Sequence, residues 1–270
     1  MEIIRSIISA LFGGILWPFS GHNPMLSLIP LSVLVGVGML WVFQRTSNQE
    51  AIRKVKARLQ ASLYEMRLFV DEPLLVWQAQ WGLLSANARY VGLMLVPALV
   101  MTAPMILIFA QLECFYGYTP IEPGQTAIVT VQMNSAGVGL TPALRPPEGI
   151  VVETPPVHVD GGRQISWRIR ALRPTAGELH LVFPDDTVDK SIVAGRGPRY
   201  VSERRVSSAL DLLWYPGESR LAAGPVDWIE LRYPQATVHA LGLDLHWLIW
   251  LLVLSMISAL LLKRRFRVSF

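Results

Sequence analysis

The sequence predicts a membrane protein of mixed α and β structure: three transmembrane helices, a cytoplasmic helical coiled-coil hairpin and an extracytoplasmic immunoglobulin-like β-sandwich domain. Three observations predict it. Of the 270 residues, 52% are hydrophobic and 16% charged, with a mean hydropathy of +0.39, whereas ordinary soluble domains carry about 25% charged residues. Three apolar runs, 25–43, 91–112 and 247–262, contain no charge. Basic and acidic residues are sorted by those runs instead of being mixed. The apolar excess excludes a disordered chain. A lone cysteine, Cys114, excludes a disulfide framework and any Cys-based zinc or iron–sulfur centre within one chain.

Residues 1–24 open the chain. Ile3, Ile4, Ile7, Ile8, Leu11, Phe12, Ile15, Leu16 and Phe19 fall on one helical stripe, with Arg5, Ser6, Ser9, Gly13 and Gly14 opposite. This predicts an amphipathic helix in the outer membrane interface, with Trp17 as a depth anchor. No small-x-small cleavage site follows, and a weak signal anchor is the alternative.

A spanning helix needs about 20 apolar residues. The first span is assigned to 25–44, the second to 91–112 and the third to 245–262. The third is short but ends against Lys263, Arg264, Arg265 and Arg267, whose stems can snorkel. Gly36 and Gly38 allow close helix approach in the first span. Pro97 and Pro104 are expected to kink the second; with Thr102 and Gln111 they are candidate groove residues.

Residues 45–90 form the loop between the first two spans, with seven basic and four acidic residues. In 49–70, Ile52, Leu59 and Met66 are spaced by seven, as are Val55, Ser62 and Phe69, which gives an a/d seam. Asp71-Glu72-Pro73 signals a turn into a second helix. There Leu75, Ala79, Leu83 and Ala86 recur on one face, and the arm runs directly into the second span. Arg53, Lys54, Lys56 and Arg58 cluster near the hairpin base. They suit anionic lipid headgroups, at about 1 kcal/mol each, or, on a sharper reading, ribosomal RNA or a nascent chain. Trp77 and Trp81, four apart, read as packing or interface anchors.

Residues 113–244 carry twelve basic and fifteen acidic residues. Alternation at 127–133, 150–153, 165–169 and 178–183, broken by Gly/Pro turns, predicts the β-sandwich. Trp167 is expected in its core, and 226–233 reads as a last strand with 210–215 beside it. The stretch after Phe183 looks less regular. Asp185, Asp186 and Asp189 read as a solvated turn and not a calcium loop. His158, His180 and His239 show no ligand spacing, and no nucleophile or phosphate motif occurs. The sequence therefore predicts no catalytic residue, no metal and no cofactor.

The tail 263–270 is basic. Positive loops stay in the cytoplasm, so the predicted threading puts the N-terminus and acidic domain outside, and hairpin and C-terminus inside, in a bacterial inner membrane. The spans hold no Asp, Glu, Lys or Arg, which argues against a pump or ion-coupled transporter.

An outer amphipathic helix, an N-out span, a basic cytoplasmic hairpin, two further spans and a basic tail together resemble the three-span core of the YidC/oxidase-assembly insertase superfamily. The resemblance is topological and covers 1–112 and 245–270. Two features depart from it: the bacterial members carry a groove arginine within the membrane, and the family links its last two spans briefly, where this chain has 132 residues. The segments KARLQASLYEMRLFVDEP and LHWLIWLLVLSMISALLLKRRFRVSF also resemble an uncharacterised group of bacterial membrane proteins. The resemblance implies a non-enzymatic insertase-like or biogenesis factor. Its expected partners are membrane lipids, a nascent membrane protein or other protein, and a ribosome; DNA is not expected. The alternative is a scaffold subunit of an envelope complex that binds partners through the β-domain.

Overall fold

The computed structural model describes residues 12, 14, 23–68, 72–184, 186–196, 200–263 and 265–266. Most of the predicted interfacial helix of 1–24, Phe69 of the seam, the Asp71 turn residue, Asp185 and most of the basic tail lie outside the described residues. The fold is mixed α and β, with helices and antiparallel sheets. The chain forms two compact units, Ile29–Met105 with Leu251–Phe270, and Met1–Leu28 with Ile106–Trp250.

The first unit is helical. Helix α1 (Pro24–Thr46) and helix α3 (Pro73–Tyr116, 44 residues) each contain a stretch long and apolar enough to cross a membrane, Pro24–Thr46 and Leu74–Tyr116; helix α4 (Trp247–Leu262) is shorter at 16 residues. Helix α2 (Gln49–Leu68) starts at a cap that the sequence supplies: the Ala51 N–H donates to Asn48 Oδ1 at 3.0 Å, satisfying one of the orphan donors at a helix start. Pro73, suited to a first helical turn, begins α3. Ile52, Val55 and Ser62 are buried on α2, and Ala79 and Ala86 on α3. Leu59, Met66, Leu75 and Leu83 are half-buried beside them. An added Cβ on Gly82 would lie 3.4 Å from Ser62 Oγ, while Ile52 packs in one cluster with Tyr90. The two helices are therefore antiparallel, with the heptad residues between them.

α3 continues through Pro97 and Pro104 without a break, so the returning arm and the apolar run are one helix. α1 and α4 meet at a seam of small residues. A Cβ on Gly36 would lie 2.2 Å from Ser258 Oγ and 2.7 Å from the Ser255 carbonyl, so only glycine fits this contact. Gly38, expected to serve the same end, has nothing within 4 Å; it faces away from the seam.

The second unit holds two antiparallel sheets around one core. In the larger, the strand order is β3 (Ile150–Val152), β5 (Gln164–Ala171), β1 (Thr126–Met133), β9 (Val226–Leu231), β8 (Arg204–Val206), with β4 (Val157–Val159) also on β5. The smaller is β2 (Ala143–Arg145), β6 (Thr175–Val182), β7 (Thr187–Ala194). Their inward residues, among them Val129, Val131, Ile165, Trp167, Leu179, Leu181, Ile192 and Ile229, make one hydrophobic cluster. Each is worth about 1.5–3 kcal/mol over leaving it in water. Trp167 is 3% exposed, as its place in the alternation predicts.

The stretch after Phe183 is more ordered than its composition suggests. β7 is a full eight-residue strand paired to β6, and Asp189 sits on it opposite His180 instead of in a loop. A two-stranded hairpin, β10 (Val238–Ala240) with β11 (Leu243–Leu245), leads into α4. Trp247 is fully buried where α4 begins: its indole N–H donates to Glu113 Oε2 at 2.8 Å, and its ring stacks on Tyr116 at 6.1 Å. The Tyr116 hydroxyl shares a 2.6 Å hydrogen bond with Ser27 Oγ.

Candidate functional site

The features that invite a partner in the helical unit lie on the hairpin. The first is a crevice of about 490 Å³ between α2 and α3, lined by Asn48, Glu50, Lys54, Arg58, Ser85 and Arg89 over a floor of Val55 and Ala86. It is within the size range of small-ligand sites, but its walls are charged. Lys54 and Arg58 are one helical turn apart on α2, and Arg89 comes from α3. Against these three cations stands Glu50, which bonds Lys54 at 2.6 Å with both side chains mostly in solvent; such a pair is worth little. The crevice can hold a carboxylate or phosphate by charge. Of the four basic residues expected to act together, the structure brings Lys54 and Arg58 to the crevice, while Arg53 and Lys56 are exposed outside its lining. Arg89 is the member that sequence spacing misses, because only the antiparallel register brings it there.

The second feature is an apolar stripe along α3. Leu74, Trp77, Trp81, Leu84, Val91 and Leu95 are 72, 71, 68, 61, 57 and 54% exposed. With Ala88, Ala98 and Thr102, also exposed, they follow one another at alternating spacings of three and four. That period keeps them on one slowly winding side of the helix. Trp77 and Trp81 were expected as packing or interface anchors; they are exposed, so the packing half of that expectation fails. The stripe passes from the hairpin arm onto the apolar run without a polar interruption.

Of the candidate groove residues, Pro97, Thr102 and Pro104 lie in the helical unit and Gln111 in the β unit. Pro97 is buried, Pro104 exposed, and Thr102 lies on the stripe with its hydroxyl donating to the Ala98 carbonyl at 2.9 Å. Gln111 is 2% exposed, in the other unit, and its Oε1 accepts from the Tyr200 hydroxyl at 3.4 Å.

The β unit has charged groups that the sequence did not flag. Lys190 is fully buried on β7, bonded to Glu218 and donating to the Ser202 carbonyl at 2.6 Å. Glu218 also accepts from the Ser191 N–H at 3.0 Å. Burial pulls the Lys190 ammonium below its ordinary range, opposed by Glu218. Burial alone would raise the Glu218 carboxyl; the Lys190 charge and the hydrogen bonds of Lys190 and Ser191 outweigh it and hold it low. The result is an ion pair closed on itself. Arg204 is sandwiched between Tyr215 (4.9 Å) and Trp228 (4.4 Å) and bonded to Glu230, which puts the 210–215 stretch beside the late strand as expected. Burial, with the neighbouring Glu230, raises the Glu203 carboxyl above its ordinary range, against the hydrogen bond donated by Tyr118, which lowers it.

Glu178, His180 and Asp189 bring three ligand atoms within 4.8 Å on the outer face of β6 and β7. His180 Nδ1 is already bonded to Asp189 at 2.6 Å, and Arg145 is paired beside His180 on β2. With two of the three side chains exposed and His180 already paired to Asp189, the trio reads as a surface ion cluster. Comparison of the chain with protein-family models, curated proteins and solved structures finds no match.

Proposed function

We propose that this chain is a multi-pass membrane protein of the insertase-like or biogenesis kind, in which α3 receives a hydrophobic client segment on its exposed stripe. The observation that carries the reading is the continuity of that stripe from Leu74 to Thr102. An apolar segment in water gains about 25 cal/mol for each Å² it covers, and on such a track it moves toward lipid without crossing a polar break. The crevice beside it would hold acidic flanks of the same client by charge, or the headgroups of anionic lipids.

The reading extends to three spans, with α4 as the third, and to an immunoglobulin-like arrangement of the two sheets. In it the hairpin is cytoplasmic and the β-domain lies outside a bacterial inner membrane. The charge partition supports that direction. The scaffold alternative has its own support. The hydroxyls of Thr102, Ser255 and Ser258 donate to carbonyls of their own helices, so their protons are satisfied without a client.

Photo-crosslinking from position 84, exposed on the same stripe, to a stalled nascent membrane protein tests the first reading in the full chain. Crosslinks that fall several-fold in Trp77→Ser/Trp81→Ser, with loss of client proteins from the membrane, support it. Unchanged membrane levels of all clients, together with partner loss on deleting 120–235, favour the scaffold.

A further inference from the structure

The β10–β11 hairpin closes with a two-residue turn, Leu241-Gly242, between the paired Ala240 and Leu243. Both central residues have positive φ, 53° for Leu241 and 78° for Gly242. Such turns ordinarily take Asn-Gly or Asp-Gly, because a branched side chain is strained in the left-handed region. Leu241 is the only non-glycine residue with positive φ among the described residues. It is also 90% exposed, and Leu243 beside it 53%. The turn thus combines backbone strain with an uncovered apolar tip. A backbone outlier of this kind points to a function that the fold tolerates at some cost.

The place of the hairpin says what covers it. β11 ends at Leu245, two residues before α4 begins. Trp250, one turn into α4, is 6% exposed and donates its indole N–H to the Val238 carbonyl at 3.1 Å. The root of the hairpin is therefore held against the side of α4 where that apolar helix starts. Three strand residues extend about 10 Å, so the tip stays within about that distance of the root. The interfacial layer is about 5–8 Å thick on each side of the hydrocarbon, and interfacial elements bury apolar surface about 5–10 Å into it. One position behind the tip, His239 and Asp244 are bonded at 2.8 Å and both about two-thirds exposed, a polar collar suited to headgroups.

We infer that Leu241 and Leu243 dip into the outer interface of the lipid bilayer and form a second anchor beside the third span. The inference rests on α4 entering a membrane, and the test separates the two. The full chain is reconstituted into phosphatidylcholine–phosphatidylglycerol vesicles with an environment-sensitive fluorophore at Leu241→Cys. The wild-type chain, whose Cys114 is buried, serves as the labelling blank. Ile257→Cys, exposed midway along α4, marks hydrocarbon, and Thr187→Cys marks water.

The expected result is blue-shifted emission at position 241, quenched by brominated acyl chains near the headgroup and protected from iodide. Quenching by iodide to the level of position 187, with position 257 still quenched by lipid, overturns the anchor and leaves the membrane reading standing. Protection from both quenchers at 241 also overturns it, since protein would then cover the tip. Loss of lipid quenching at 257 overturns both. A second variant reads the strain. Leu241→Asn, which suits the left-handed turn, is expected to leave the melting temperature in detergent unchanged or higher, yet to lower lipid quenching of a label at Leu243→Cys. A lowered melting temperature with undiminished quenching would make Leu241 a packing residue.

Discussion

The helical unit and the β unit solve the same problem, a polar group without water, in opposite ways. In the helical unit, hydroxyls turn back onto their own helices and glycine lets backbones touch. Its described arginines and lysines stay exposed on the surface, with Lys54, Arg58 and Arg89 at the crevice rim. The β unit instead buries a lysine completely and closes it with Glu218, Ser202 and Ser191. Small-residue packing suits a solvent in which charge has no shelter. A buried ion pair needs a core that brings its partners from distant segments, here 28 residues apart. The comparison therefore teaches where each unit is brittle.

The largest expected effect is in the β unit. Glu218→Gln leaves the ammonium of Lys190 buried with a carbonyl as its main partner, a change that costs about 3–5 kcal/mol. Chemical denaturation of the full chain in detergent measures it. The double replacement Lys190→Met/Glu218→Leu should recover most of that loss, because a packed apolar pair carries no desolvation cost. If the double variant is as unstable as the single one, the pair is not self-contained.

Next comes the seam. Gly36→Leu drives atoms into Ser258 and the Ser255 backbone and should destabilise the helical unit by about 1–3 kcal/mol, whereas Gly38→Leu should change little. Melting of the two variants in the same detergent reads the contrast, and equal losses would put the seam elsewhere.

The acid limb should be smaller again. The Glu218 carboxyl is lower folded than unfolded. Its stabilisation is complete above the unfolded value of about 4.3 and is lost as pH falls through the lower folded value. A melting-temperature series from neutral pH downward should therefore drop below that window, and drop less steeply in Lys190→Met. The smallest effect belongs to the exposed pair: Lys54→Gln should leave stability within about 0.5 kcal/mol while weakening anion binding in the crevice.

Much of the helical unit was legible because its signals are periodic. Ile52, Val55 and Ser62 sit where a seven-residue repeat puts them, and the apolar runs need only be counted. Five of the strands were visible as alternation. Lys190 was legible in principle: Val188, Lys190, Ile192 and Ala194 are one alternate set, and a lysine in such a set calls for a buried acid. Nothing local points to Glu218 as that acid, since the pairing is made by the sheet. Arg89 was missed for the same reason, because the crevice exists only in the register of two helices. Of the six three-residue strands only β3 was visible; in β2, β4, β8, β10 and β11 so short a stretch gives a period of two little to stand on.

The 44 residues of α3 rise about 66 Å at 1.5 Å per residue, more than twice the thickness of a hydrocarbon layer of about 30 Å. The helix is unbroken where the arm meets the apolar run at Tyr90 and Val91, with Gly92 held inside it. The first proline on that path is Pro97, already inside the run. On the membrane reading the arm has no joint at the surface and works as a mast stepped in the bilayer. Leaning it means tilting the span or bending at depth, against lipid. A cargo taken at Trp77 is thus presented at a set height and bearing, and local bilayer thickness becomes a control on where it arrives.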